Sequence, residues 1–205
     1  MANGQADKRR AILDAATTVF LRKGYLGTSM DEIAALAAVS KQTVYKHFAD
    51  KERLFAEIVT STVDEAGDRV YDEVLNLVDS GDVEADLRDL ARRQLAAVMQ
   101  PRLLALRRLV IGEAGRFPDL GRTFYERGPG RTIAAVAEAF ERLAARGALH
   151  LDDPLLAAQH FNWLIMSFPI NRAMLLGDEG LPAAGELDEY ADAGVRAFLA
   201  AYGHR

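Results

Sequence analysis

The chain has 205 residues, half of them apolar, enough for one or two domains with a real core, and no cysteine, which excludes disulfides, thiolate nucleophiles and Cys-based zinc sites. Its formal charge of −5 conceals a division: residues 1–55 carry nine Lys+Arg against six Asp+Glu, whereas residues 56–205 carry 16 against 24. All five lysines fall in the first segment, so two regions with different partners are expected, and overall acidity does not exclude a nucleic-acid partner.

The N-terminal residues MANGQADKRR lack the apolar stretch of a signal peptide. No run of about 18 uncharged apolar residues follows, so a cytoplasmic protein without membrane contact is expected. Helical periodicity dominates, with no hairpin pattern, and the fold class reads as all-α. The first seven residues are expected to be disordered.

The first helix, near 8–23, carries Ile12, Leu13, Ala16, Val19 and Phe20 on one face, with Gly24 free to adopt the left-handed cap. Ser29-Met30-Asp31-Glu32 is a capping-box pattern that opens a short helix near 30–37. Ala38-Val39 makes a tight connection, Ser40 caps a third helix from Lys41 to about Phe48, and Asp50 caps a long fourth helix reaching about Val78. Further helices are expected near 83–99, 101–115, 119–127, 130–146, 154–176 and 187–202. Proline is absent from the first 100 residues, and Pro101, Pro118, Pro129, Pro154 and Pro182 mark segment starts in the rest. Pro169 falls inside a helical pattern and is expected to kink it.

Residues 29–48 have the form of a helix-turn-helix: two short helices, a turn of three or four residues, and a second helix that is apolar only at a few anchors. Val39, Val44 and Phe48 are the anchors, and Lys41, Gln42, Thr43, Tyr45, Lys46 and His47 are polar or amphipathic within seven positions. Lys and Gln can reach base edges in the major groove, while hydroxyls and ammonium groups hold phosphate oxygens. Lys41, Gln42 and Lys46 are therefore candidate base readers, and Thr28, Ser29, Thr43, Tyr45, His47 and Lys51 candidate phosphate contacts. Composition alone also admits an ordinary solvated amphipathic helix.

The run TSMDEIAALAAVSKQTVYKHFADKERLF, residues 28–55, resembles the DNA-binding signature of the tetracycline-repressor (TetR) family. The resemblance covers about residues 8–60. It implies that Ser40–Phe48 is the recognition helix, that Tyr45, His47 and Lys51 meet the DNA backbone, and that Lys41, Gln42 and Lys46 vary with operator. Ala38 departs from the pattern, where glycine is usual; a left-handed backbone there would cost about 1 to 2 kcal/mol. The stretches LRRLVIGEAGRFPDLGRTFYERGPGRTI and RGALHLDDPLLAAQHFNWLI resemble the C-terminal domain of the AefR-like branch of that family.

These resemblances imply an all-helical homodimer with a DNA-binding domain at 1–52 and a ligand-sensing and dimerisation domain at 53–205. They also imply that the last two helices pair with their symmetry mates as a four-helix bundle. In the final helix Ala193, Gly194, Ala197 and Ala201, beside Tyr190 and Phe198, form a small-residue stripe suited to that pairing or to packing within the chain. Dimerisation has a second ground, since two-fold symmetry doubles the base contacts of one helix-turn-helix and suits a palindromic double-stranded operator.

An apolar cavity with a few polar groups would make the second region a sensor for a small-molecule effector. The candidates are Met99, Phe117, Phe124, Tyr125, His160, Trp163 and Met166, each of which also reads as plain core. The arginines at 92, 93, 102, 107 and 108 either attract an anionic guest or form solvated faces. No HExxH, GxSxG or GxxxxGK[ST] occurs and His47, His150, His160 and His204 form no i, i+4 pair, so no enzyme, metal site or cofactor is expected. The function expected is a DNA-binding transcriptional regulator, a repressor released by a small apolar or amphipathic ligand. The alternatives are a dimeric DNA-binding protein controlled by a protein partner or by no ligand, and, more distantly, an all-α carrier or enzyme.

Overall fold

The computed structural model describes residues 2–77 and 81–203, so Val78 and His204 lie outside it. The described residues are helical apart from short connections and one bridge between Leu149 and Gly203. The helices are α1 (Ala2–Gly27), α2 (Met30–Leu36), α3 (Lys41–His47), α4 (Lys51–Asn76), α5 (Val83–Val98), α6 (Pro101–Glu113), α7 (Pro118–Tyr125), α8 (Arg131–Ala145), α9 (Pro154–Leu176) and α10 (Ala184–Tyr202). A π-helical turn, Glu126–Gly130, joins α7 to α8. Among the described residues no helix is long and apolar enough to cross a membrane.

The chain packs as two compact units, one of Met1–Thr62 with Ala105–Phe124, the other of Val63–Leu104 with Tyr125–Arg205. This division by packing differs from the expected boundary at 52/53, because the segment 105–124 packs with the N-terminal helices.

In the first unit Ile12, Ala16, Val19 and Phe20 of α1 are buried with Ile33 of α2, Val44 of α3 and Leu54, Phe55 and Ile58 of α4. Phe20, Tyr25 and Phe55 form an aromatic cluster, with ring centroids 5.0 Å apart for Phe20–Phe55 and 5.3 Å for Tyr25–Phe55, and Phe117 meets Tyr25 edge-on at 4.7 Å. The expectation of a disordered start is corrected, since α1 is helical from Ala2. One physical reason is Arg9, which pairs with Glu57 of α4 and lies 5.3 Å over the Phe48 ring, tying this end of α1 to its neighbours. Gly24 takes φ 72° and ψ 176°, a conformation open mainly to glycine, and kinks α1 there in place of the expected left-handed cap.

Ala38 has φ 53°, the left-handed region in which a Cβ crowds the following carbonyl. Glycine would relieve about 1 to 2 kcal/mol of that strain and return about 0.4 to 1 kcal/mol through a freer unfolded chain. Ala38→Gly is therefore expected to stabilise the protein by a net ~0.5 to 1 kcal/mol in urea unfolding. An unchanged or lower midpoint would contradict strain at this position.

The second unit is built on Phe140, Phe161 and Phe198, each fully buried, with Leu87, Leu95, Leu143, Ile165 and Val195 around them. α9 is continuous through the buried Pro169. At Gly194 an added Cβ would lie 2.8 Å from Ile165 Cγ2 and 3.1 Å from the Leu164 carbonyl oxygen, so α10 approaches α9 at a distance only glycine allows. The early part of the unit is held by ion pairs of Arg127 with Asp64 at 2.6 Å and Arg131 with Asp68 at 2.7 Å.

α5 is tied to α10 by a two-toothed pair: Arg92 Nε and Nη2 donate to the two oxygens of Asp192 at 2.8 and 2.6 Å. The hydrogen bond and charge of Arg92 hold the Asp192 carboxyl below its ordinary value. A carboxyl whose folded value is depressed contributes stability above its unfolded value and loses it as pH falls through the folded one. Wild type should therefore melt above Asp192→Asn at neutral pH, and the gap should close as pH falls below about 4. A gap that persists in acid would assign the effect to packing instead.

Candidate nucleic-acid interface

The α2–turn–α3 segment is built from local hydrogen bonds. Ser29 Oγ accepts from the Glu32 amide at 3.2 Å and opens α2. The second half of the expected capping box does not form, because the Glu32 carboxylate accepts from Arg22 at 2.6 Å and Lys23 at 2.8 Å. These pairs clamp the end of α1 to α2. The left-handed turn at Ala38 lets the Val39 amide donate back to the Ala34 carbonyl at 3.0 Å. Ser40 then caps α3 by accepting from the Thr43 amide at 3.1 Å, and its hydroxyl lies 2.8 Å from that of Thr43.

Val44 and Phe48 sink into the core, which leaves Lys41, Gln42, Tyr45 and Lys46 on one exposed face, with Thr43 and His47 half-buried at its edges. Their spacing of one, three and one residues places all four within about two turns. The expected base-reading residues thus share a single solvent-facing surface, while the apolar positions fix its orientation. Lys41 is also paired with Asp31 of α2 at 2.6 Å, and this carboxylate holds its ammonium above the ordinary lysine value. In the sequence Asp31 reads only as part of a capping pattern. Its second role joins residues ten positions apart, for which no helical spacing rule exists.

Two expected phosphate contacts are placed differently. Thr28 is buried at 3% exposure and its hydroxyl donates to the Gly24 carbonyl at 2.7 Å, so it braces the turn. Lys51 is half-buried; its ammonium donates to the carbonyls of Tyr25 at 2.9 Å and Thr28 at 2.8 Å and sits 4.5 Å from the Tyr25 ring centre. Burial, then the charge of Arg116, pushes it below the ordinary lysine value. Two of its three donors thus hold the connection between α1 and α2. Ser29 stays exposed, its hydroxyl used as the α2 cap.

The expected ligand residues divide between the two units. Met99 and Met166 are buried in the core of the second unit, Trp163 is 50% and Tyr125 57% exposed, and His160 Nδ1 lies 2.6 Å from the Tyr202 hydroxyl. Phe117 and Phe124 belong to the first unit, where Phe117 packs on Tyr25. A cleft of 300 Å³ opens in that unit between Glu52, Ala56 and Thr60 of α4 and the stretch Arg116–Leu120 with Thr123. Phe117 is the one expected ligand residue that lines it.

The expected dimer residues also divide. Ala193, Ala197 and Ala201 are exposed. Phe198 is corrected to core, packed on Phe140 at 5.0 Å and Phe161 at 5.3 Å, and Gly194 to an internal approach against α9. Tyr190 is half-buried and stacks on Phe168 at 5.9 Å.

Comparison with known proteins agrees with this architecture. The model for bacterial regulatory proteins of the tetR family matches residues 12–58, and that for the C-terminal domain of AefR-like transcriptional repressors matches residues 85–204. A TetR-family transcriptional regulator of known structure from Mesorhizobium loti is 47% identical, with 97% of this chain and 98% of that one covered and a TM-score of 0.90. The structure of the flavonoid-responsive regulator FrrA is 33% identical over 97% of this chain and 98% of that one, with a TM-score of 0.70. The transcriptional regulator YhgD of Bacillus subtilis is 48% identical over 59 residues, which span 29% of this chain and 31% of that protein. The likeness to this curated relative thus covers under a third of its length. These relatives are regulators rather than enzymes, and the chain belongs to the TetR family of bacterial transcriptional regulators, with a C-terminal domain of the AefR-like type.

Proposed function

We propose that this chain is a homodimeric repressor that places α3 of each subunit in successive major grooves of a palindromic operator and is released by a small apolar or amphipathic molecule. The observation that carries the reading is the exposed face of Lys41, Gln42, Tyr45 and Lys46, held outward by the buried Val44 and Phe48. Homodimer formation is supported by apolar residues left open on α9, among them Trp163, Phe168 and Leu175, together with exposed Ala193, Ala197 and Ala201 on α10. Responsiveness to a small molecule draws on the likeness to FrrA, which answers to flavonoids.

Release follows if the ligand prefers a conformation in which the recognition helices are out of groove register. The test is selection of bound fragments from randomised duplex DNA, then a screen of apolar and phenolic compounds for their release. The expected product is an inverted repeat with half-sites about 10 base pairs apart, centre to centre. Binding that is equal on all sequences, or operator affinity that no compound alters, would remove respectively the operator and the effector part of the reading. A partner-controlled regulator would present this second result.

A further inference from the structure

The exposed lysines of α3 differ in how their charge is met. Lys46, in the last turn, pairs with no carboxylate among the described residues, whereas the Lys41 ammonium lies 2.6 Å from Asp31 Oδ1, a carboxylate in the first turn of α2. Glu32 beside it is taken up by Arg22 and Lys23 of α1, so each acid of α2 is paired with a cation from another helix. Asp31 and Lys41 are both exposed, at 66% and 57%, and the pair stands at the edge of the face formed by Lys41, Gln42, Tyr45 and Lys46.

An exposed ion pair is weakly held and does not lock Lys41 in place. Its effect is on what a duplex meets. The carboxylate lies far inside the screening distance of about 8 Å at physiological salt, so a phosphate that approaches Lys41 meets a second anion with it and gains little from the ammonium. A base edge is uncharged and differs. Asp31 takes one of the three N–H donors of Lys41, and two remain for the O6 and N7 acceptors of a guanine.

We infer that Asp31 is a specificity-determining residue: it withholds Lys41 from the phosphates of random sequence and leaves it to a guanine edge of the operator. The inference rests on the reading that α3 enters the major groove, and adds a residue of α2 that sets how strongly other DNA competes. A regulator finds its operator against a large excess of unrelated sequence, so a cation that serves bases rather than phosphates raises the ratio that matters.

The test titrates the full-length protein with the selected operator and with random duplex DNA at several salt concentrations. Asp31→Asn is expected to bind random DNA about fivefold tighter at about 0.15 M salt, with a salt slope steeper by about 0.9, the contribution of one new phosphate contact. Operator affinity should stay close to wild type, so the ratio between the two DNAs falls. A gain in affinity cannot come from a damaged fold. Asp31→Glu, which keeps the charge, should retain the wild-type slope. In a Lys41→Met background Asp31→Asn should leave random-DNA binding unchanged, because Lys41 makes the gain.

Unchanged binding of random DNA by Asp31→Asn, equal gains on operator and random DNA, or a gain that persists without Lys41 would overturn this role, the last two reducing Asp31 to a general repulsive charge. Lys41→Met that weakens random DNA as much as operator would show the ammonium already on a phosphate and would overturn it as well. If selection from wild type yields no operator, the groove reading fails and the role of Asp31 falls with it, an outcome distinct from failure at Asp31 alone.

Discussion

Phe198→Ala is expected to lower the unfolding free energy by about 3 to 5 kcal/mol, the range for a phenylalanine deleted from a closed core. The side chain is 0% exposed, stacks on Phe140 at 5.0 Å, meets Phe161 edge-on at 5.3 Å and touches Tyr202 at 4.9 Å. Alanine would leave a cavity where α8, α9 and α10 converge, and would also remove aromatic pairs worth about 0.5 to 1.5 kcal/mol each. Urea unfolding at several protein concentrations separates this from an interface role. A core residue changes the midpoint by the same amount at every concentration, whereas an interface residue changes how strongly the midpoint depends on concentration. A variant that unfolds like wild type but dissociates more readily would return Phe198 to the dimer surface.

Gln42→Ala is expected to cost about 1 to 3 kcal/mol on the preferred operator and close to nothing on random DNA. Gln42 is exposed in the first turn of α3, next to a Lys41 already engaged by Asp31, so its amide is free to donate and accept at once on a base edge. Because the amide carries no charge, its loss should leave the salt dependence of binding unchanged. Competition titrations on both DNAs at two salt concentrations measure all of this. Equal losses on specific and random DNA would show that Gln42 reads no base.

Helix positions were legible to within a few residues because each depends on neighbours close along the chain. Ser29, Ser40, Asp82 and Asp153 cap the helices that follow them, each accepting from the amide three residues on. The departures arose where a distant contact intervened. Arg9 held an N-terminus that composition alone would leave loose, and Glu32 exchanged its expected local bond for two cations of α1. The turn at Ala38 is the instructive case, since the chain keeps a left-handed backbone where glycine is absent, as buried Ile33 and Val44 on either side demand a connection of that shape.

The amino-acid sequence by itself determined the all-helical class, the helix-turn-helix and the residues on its outward face. All of these follow from spacing within some twenty residues: apolar anchors at Val39, Val44 and Phe48 leave Lys41, Gln42, Tyr45 and Lys46 only the solvent side. Tertiary structure alone decided which members of α10 face inward, that Lys51 and Thr28 brace a turn, that Phe117 packs with Tyr25, and that Arg107 lies over the Phe124 ring. The physical reason is that the role of a long or aromatic side chain is set by what other helices bring to it. Helical periodicity names the face a residue lies on but not the neighbour across from it.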